Sequence, residues 1–174
     1  MMDLVEKALK FAAYAHEGQV RKYTGEPYIF HPIDVMHIVM DAVGHNIPML
    51  CAALLHDVVE DCGVQLTTIG ELFGQDVMCM VNDLSDVSIP EDGNRAERKE
   101  VDRQWIKEGR HQSKTIKLAD LISNSKSICE HDKEFAKVYI KEKELLLDVL
   151  TEGDPTLYAQ AKDIVEKAKK ELGI

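Results

Sequence analysis

The sequence predicts an all-α chain folded as one domain of about eight helices. Three observations carry this. Apolar residues recur at helical spacing along nearly the whole chain, and proline and glycine fall where those patterns start and stop. The only strand-like pieces, TIGEL and VSIP, are too short and irregular to build a sheet.

Residues 3–17 set Leu4, Val5, Ala8, Leu9, Ala12 and Ala15 on one face, with Lys7, Lys10 and Glu17 elsewhere. EGQVRKYTGEPYIF then holds two glycines and a proline and reads as a loop. At His31-Pro32 a helix should begin, because proline has the backbone angle of a first turn and needs no donor there. Ile33, Met36, His37 and Met40 continue it at helical spacing. GHNIP is a break, and Pro48 opens a helix running through CAALLHDVVED to Gly63. LTTIGELFG is a short helix with Thr67 or Thr68 as cap and Gly74 as stop.

QDVMCMVNDLSDV is a further apolar helix and SIPEDGN a turn. RAERKEVDRQWIKEG is a charged helix, anchored by Val101, Trp105 and Ile106. SKTIKLADLISNSKSICE is amphipathic, and EFAKVYIKEKELLLDVL and PTLYAQAKDIVEKAKKELG close the chain as helices.

The 174 residues carry 31 acids against 21 lysines and arginines, a net charge of −10. A general nucleic-acid binder should show the opposite balance, so the charge argues against that class while leaving room for a local basic pocket. CAALL is the longest apolar run, far short of a membrane span, and MMDLVEKALK has no apolar signal core. Cys51, Cys62, Cys79 and Cys129 form no C-x-x-C pair and read as reduced thiols of a cytoplasmic protein.

CAALLHDVVED poses a chemical problem. Leu54, Leu55, Val58 and Val59 make an apolar stripe, yet His56, Asp57, Glu60 and Asp61 gather beside it. Three carboxylates so close repel one another and resist desolvation, and the segment has no lysine or arginine to pair with them. Either the patch faces water or a divalent cation neutralises it. Two other places could complete a cation site: His31 at a helix start, and Asp120 in TIKLADLISN with Lys117 and Asn124 on its face. Spacing alone does not bring these together. Templates for zincins, nucleophile elbows, phosphate-binding P-loops and zinc deaminases are missing, and His16, His37, His45, His111 and His131 read as structural or solvated.

AHEGQVRK, GEPYIFHP, AALLHDVVED and KLAD, in this order and spacing, resemble the hydrolase domain of RelA/SpoT-type proteins, within the HD phosphohydrolase superfamily. The resemblance runs from about residue 8 to about residue 150. It implies an all-α HD-domain bundle in which His31, His56, Asp57 and Asp120 bind one Mn²⁺ or another divalent ion. Glu60 and Asp61 match the pair that activates the attacking water. Arg21 and Lys22 match the pair lying against the nucleotide, and Asn124 the residue approaching the nucleoside. Arg95 and Arg98, with Lys99, lie on the helix that in relatives faces the pyrophosphate, Lys117 beside Asp120 is a further substrate-binding candidate, and Glu26 and Tyr28 would pack the loop.

The implied reaction removes pyrophosphate from the 3′ position of guanosine 3′,5′-bis(diphosphate), the stringent-response alarmone. The implied partner is that small nucleotide alone, with no nucleic acid or membrane. Oligomeric state is not implied. The chain reads as a stand-alone, hydrolase-only member, ending without a synthetase or regulatory domain. It departs from the family at KLADLISNSKS: Leu121 stands for an arginine, Ser123 for a histidine, Ser125-Lys126 for Met-Arg, and the RKYTGEPY loop is one residue longer. Two alternatives therefore stay open: a different phosphorylated nucleotide, such as an adenine alarmone or a nicotinamide dinucleotide phosphate, or a nucleotide-binding module without turnover.

Overall fold

A computed structural model describes residues 3–174, apart from the side chains at 126 and 127, so the Lys126 departure lies outside the described residues. The named elements are all helical, and Val20 and Pro27 form one isolated antiparallel bridge. Among the described residues no helix is long and apolar enough to cross a membrane. The chain divides into two compact units, Met1–Ser85 and Asp86–Ile174.

The first unit holds α1 (Leu4–Ala15), α2 (Phe30–Val43), α3 (Ile47–Leu55), α4 (Val58–Cys62), α5 (Leu66–Phe73) and α6 (Gln75–Leu84). Its centre is α3, which touches α1, α2 and α6. Every residue from Met49 to Leu55 is buried, as expected of a helix that is apolar all round. Each leucine buried there stabilises the fold by about 1.5–3 kcal/mol. α1 turns Ala8 and Ala12 inward, small enough for close helix approach. α2 contains Ile33, Met36, His37 and Met40 as expected, and its buried stripe is His31, Pro32, Val35 and Val39. The loop therefore delivers the helix with its histidine inward.

Two expectations need correction here. The helix from Pro48 to Gly63 is two helices, broken at His56 and Asp57, where Asp57 has φ −99° and ψ −7°. His56 Nδ1 lies 2.8 Å from the Ala53 carbonyl, a side-chain bond that competes with the helical ladder. Gly63, at φ +67°, then ends α4 in the left-handed conformation that glycine tolerates. Thr67 and Thr68 do not cap α5, because Leu66 already begins it and Gln65 holds the cap position; Gly74 does end it.

The second unit holds a 3₁₀ turn (Pro90–Asp92), α7 (Arg95–Glu108), α8 (His111–His131), α9 (Lys133–Leu147) and α10 (Pro155–Leu172). α8, α9 and α10 pack mutually, and α7 touches α8. Asn94 caps α7, accepting from Ala96 N and Glu97 N, while Glu97 accepts from Asn94 N at 2.7 Å. Of the expected α7 anchors only Ile106 is buried; Val101 and Trp105 remain 37% and 39% exposed. The anchor the apolar pattern hides is Asp102, which accepts from Val87 N at 3.1 Å and from Ser88 N at 2.9 Å. Buried Lys114 pairs with Glu152, and Asp154 caps α10 through Thr156 N and Leu157 N. The four cysteines are free thiols; burial pushes Cys51 up to about 11 and raises Cys62 and Cys129, which keeps them protonated.

Candidate metal centre

His31 stands in the first turn of α2, His56 at the end of α3, and Asp57 in the break before α4. Their side chains are only 1%, 2% and 17% exposed. Asp57 Oδ2 lies 3.0 Å from His56 Nε2 and 3.7 Å from His31 Nε2. One ligand atom from each residue falls within 4.8 Å of the others. A carbonyl only accepts, so the Ala53 oxygen requires the His56 proton on Nδ1 and turns the Nε2 lone pair toward the cluster. Tyr28 OH donates to Asp57 Oδ2 at 2.7 Å. Two imidazole nitrogens and a carboxylate oxygen so placed suit a divalent cation. The helix break creates this arrangement: a continuous helix would keep His56 and Asp57 about 100° apart around one axis.

The loop beside the cluster does more than pack. Tyr28 was expected only to fill it, yet its ring lies 4.7 Å from the His16 ring and 5.7 Å from the His31 ring, and its hydroxyl holds Asp57. The Arg21 guanidinium sits 5.8 Å from the Tyr28 ring centre, and Arg21 N donates to Glu26 O at 2.8 Å. Lys22 Nζ donates to Tyr23 OH at 3.2 Å. Glu60 and Asp61 are exposed on α4. Gln19 Nε2 donates to Asp61 Oδ2 at 2.8 Å, and Gln19 Oε1 lies 2.7 Å from Nδ1 of buried His16. His16, read from the sequence as structural or solvated, and Gln19 both lie in the AHEGQVRK motif, but the sequence singles out neither as a site residue.

The remaining candidates lie in the second unit. Asp120, on α8, is 8% exposed. Asn124 Nδ2 donates to its Oδ1 at 2.6 Å, and Lys117 Nζ stands 3.6 Å from its Oδ2. The helical spacing thus makes the predicted Lys117–Asp120–Asn124 group real. Arg95 forks onto Glu142 at 2.7 and 2.9 Å and covers the Phe135 ring at 5.3 Å. Arg98 donates to Gly93 O at 3.0 Å. Lys99 pairs with Asp86 and, at 3.3 Å, with Asp102. Burial disfavours the Asp86 carboxylate, but Lys117 and Lys99 outweigh it and hold the group below its ordinary value.

Sequence reasoning missed Lys143 on α9. Burial brings this ammonium down to about 8, with Asp120 opposing the fall and Lys117 and Lys99 adding to it. It rests 4.9 Å from the Tyr139 ring centre. At the departures from the family pattern, Leu121 is fully buried and the Ser125 hydroxyl donates to Leu121 O at 2.7 Å. Both positions are therefore part of helix packing in this chain.

Comparison with known proteins agrees with this geometry. A family model described as HD domain matches residues 8–145. Guanosine-3′,5′-bis(diphosphate) 3′-pyrophosphohydrolase MESH1 of Mus musculus is 38% identical over 128 residues, 70% of this chain and 68% of the mouse protein. The Drosophila melanogaster MESH1 is 36% identical over 124 residues, again 68% of the relative. A probable GTP pyrophosphokinase of Mycobacterium leprae is 33% identical over 128 residues, which make up only 16% of that longer protein. A solved metazoan orthologue of SpoT, described as hydrolysing ppGpp, superposes with a TM-score of 0.86 over 96% of both chains at 28% identity. With the family model spanning most of its length and the buried His-Asp cluster in place, the chain belongs to the HD-domain family, alongside the MESH1-type proteins.

Proposed function

We propose that this chain is a Mn²⁺-dependent phosphohydrolase that removes the 3′-pyrophosphate from guanosine 3′,5′-bis(diphosphate), acting as one HD-type domain in the cytoplasm. The observation that carries the reading is the buried His31–His56–Asp57 cluster, with the His56 tautomer fixed by Ala53 O. A divalent cation supplies an acidified water and offsets charge on the phosphoryl group. His31, His56 and Asp57 would hold it, and we assign Asp120 as the fourth ligand. The buried position of Asp120 and its bond from Asn124 support that assignment.

Glu60 or Asp61 takes the proton of the attacking water. Their exposure suits this role, since the proton must leave to solvent. Arg21 and Lys22 bind the nucleotide, and the stack of Arg21 on Tyr28 keeps the guanidinium extended beside the cluster. Asn124, Lys117, Arg95 and Arg98 complete the substrate contacts in this reading. The Glu142 fork makes Arg95 the least available of the four. The partner is the small nucleotide alone; the net charge of −10 gives no basis for a nucleic-acid surface.

The test is turnover by the metal-loaded chain of guanine and adenine bis(diphosphates) and a nicotinamide dinucleotide phosphate, compared by kcat/KM with Mn²⁺, Mg²⁺ and Zn²⁺. The guanine substrate with Mn²⁺ should lead. Binding without turnover of any substrate would make the chain a nucleotide-binding module and overturn the proposal.

A further inference from the structure

We propose that His16 and Gln19 are positioning residues: a buried imidazole that, through one amide, aims the carboxylate of Asp61. The inference rests on the reading of Asp61 as a proton acceptor for the attacking water. Its physical content is a chain of donor and acceptor requirements. Asp61 Oδ2, 2.8 Å from Gln19 Nε2, can only accept, so the Gln19 amide must present its nitrogen there. The Gln19 oxygen is thereby turned to His16 Nδ1, 2.7 Å away. An oxygen also only accepts, so His16 must carry its proton on Nδ1. The charge of Asp61 thus dictates the tautomer of a histidine two links distant.

The surroundings fit a device for orientation. The Gln19 backbone is pinned on both sides, donating to His16 O at 3.0 Å and accepting from Tyr28 N at 2.9 Å. Only its side-chain torsions remain to be set, and His16 and Asp61 set them. His16 ends α1, is 3% exposed and stacks on Tyr28 at 4.7 Å, so its ring has one orientation. Nδ1 also lies 3.2 Å from the sulfur of Cys62, the residue after Asp61. His16 Nε2 is buried and finds no hydrogen-bond partner among the described residues. A phenyl ring would fill this slot without that cost. What phenyl lacks is the Nδ1 donor that fixes Gln19, and through it an otherwise exposed carboxylate on a five-residue helix. The same ring network continues through Tyr28 to Asp57, so both acids are aimed from one side.

Two measurements test this, one of them independent of turnover. Nitrogen-15 NMR of the metal-free protein should show His16 as the Nδ1–H tautomer. Asp61→Ala should loosen that preference, because nothing then prevents the Gln19 amide from rotating. An Nε2–H tautomer in the wild type, or no response to Asp61→Ala, overturns the inference whatever the enzyme does. In the turnover assay, His16→Phe and Gln19→Leu should each lower kcat about 10- to 100-fold, with KM within about twofold and Mn²⁺ affinity unchanged. His16→Asn, whose amide nitrogen can replace the Nδ1 donor, should recover most of the loss. A merely structural His16 would instead lower thermal stability in His16→Phe and gain nothing from asparagine. Wild-type kcat in either His16→Phe or Gln19→Leu would also overturn it. If Asp61→Asn turns over like the wild type, the assignment of Asp61 as base fails instead, and the tautomer result still decides whether the relay exists.

Discussion

Tyr28→Phe isolates one atom of the candidate metal centre. The ring contacts with His16 and His31, at 4.7 and 5.7 Å, involve the part of the side chain that phenylalanine keeps. The hydroxyl bond to Asp57 Oδ2, at 2.7 Å, is lost. A neutral donor on a carboxylate contributes about 1.5–3 kcal/mol when water is excluded. Asp57 is 17% exposed, so water recovers part of this. The remaining loss is about 1.5–2.5 kcal/mol, and outer partners of metal ligands act mainly on affinity. The expected result is Mn²⁺ binding weaker by about 10- to 60-fold, with kcat at saturating Mn²⁺ within about threefold of wild type. Competition with a chromophoric chelator measures the affinity, and far-UV circular dichroism checks that the fold is intact. A Kd within twofold of wild type would show that the hydroxyl does not support the ligand and would refute the reasoning.

Asp57→Ala should abolish Mn²⁺ binding and turnover together, leaving two imidazoles and, of the assigned ligands, only the Asp120 carboxylate; residual stoichiometric binding by metal analysis would contradict the assigned set. Lys143→Met should stabilise the metal-free protein at pH 7 by on the order of 1–3 kcal/mol. Lys143 titrates near 8 in the folded state against an ordinary 10.5, so the folded form sheds its proton first. The penalty for burying that charge is complete below about pH 8 and disappears as pH rises toward 10.5. The stability gap between variant and wild type, read by urea unfolding, should therefore narrow between pH 7 and 10; a gap independent of pH would remove burial as the cause. Gly153→Ala should cost about 1–3 kcal/mol. Its new methyl would stand 2.7 Å from Leu118 Cδ1 and 3.2 Å from both Leu150 O and the Lys114 carbonyl carbon. An unchanged melting temperature would show that the α9–α10 loop yields against α8 more easily than its packing implies.

The sequence by itself determined the helices and the chemistry they offer. Periodic apolar residues leave a helix one way to bury its face, so α1, α6 and α8 through α10 lie where spacing puts them. Lys117, Asp120 and Asn124 meet because they are three and four residues apart on α8. The His-Asp doublet marked a candidate site because charges in an apolar run need either water or a counter-charge. What only the tertiary structure decided is where each side chain aims. No local rule foretells the break at His56, since it depends on a side chain finding the Ala53 carbonyl. Tyr28 and His31 are far from Asp57 in sequence, and their meeting with it follows from how the loop delivers α2 against α3. His16 and Gln19 lie in the AHEGQVRK motif, but their link to Asp61 is not legible there; a hydrogen-bond chain is defined by directions in space, and those exist only once the chain has folded.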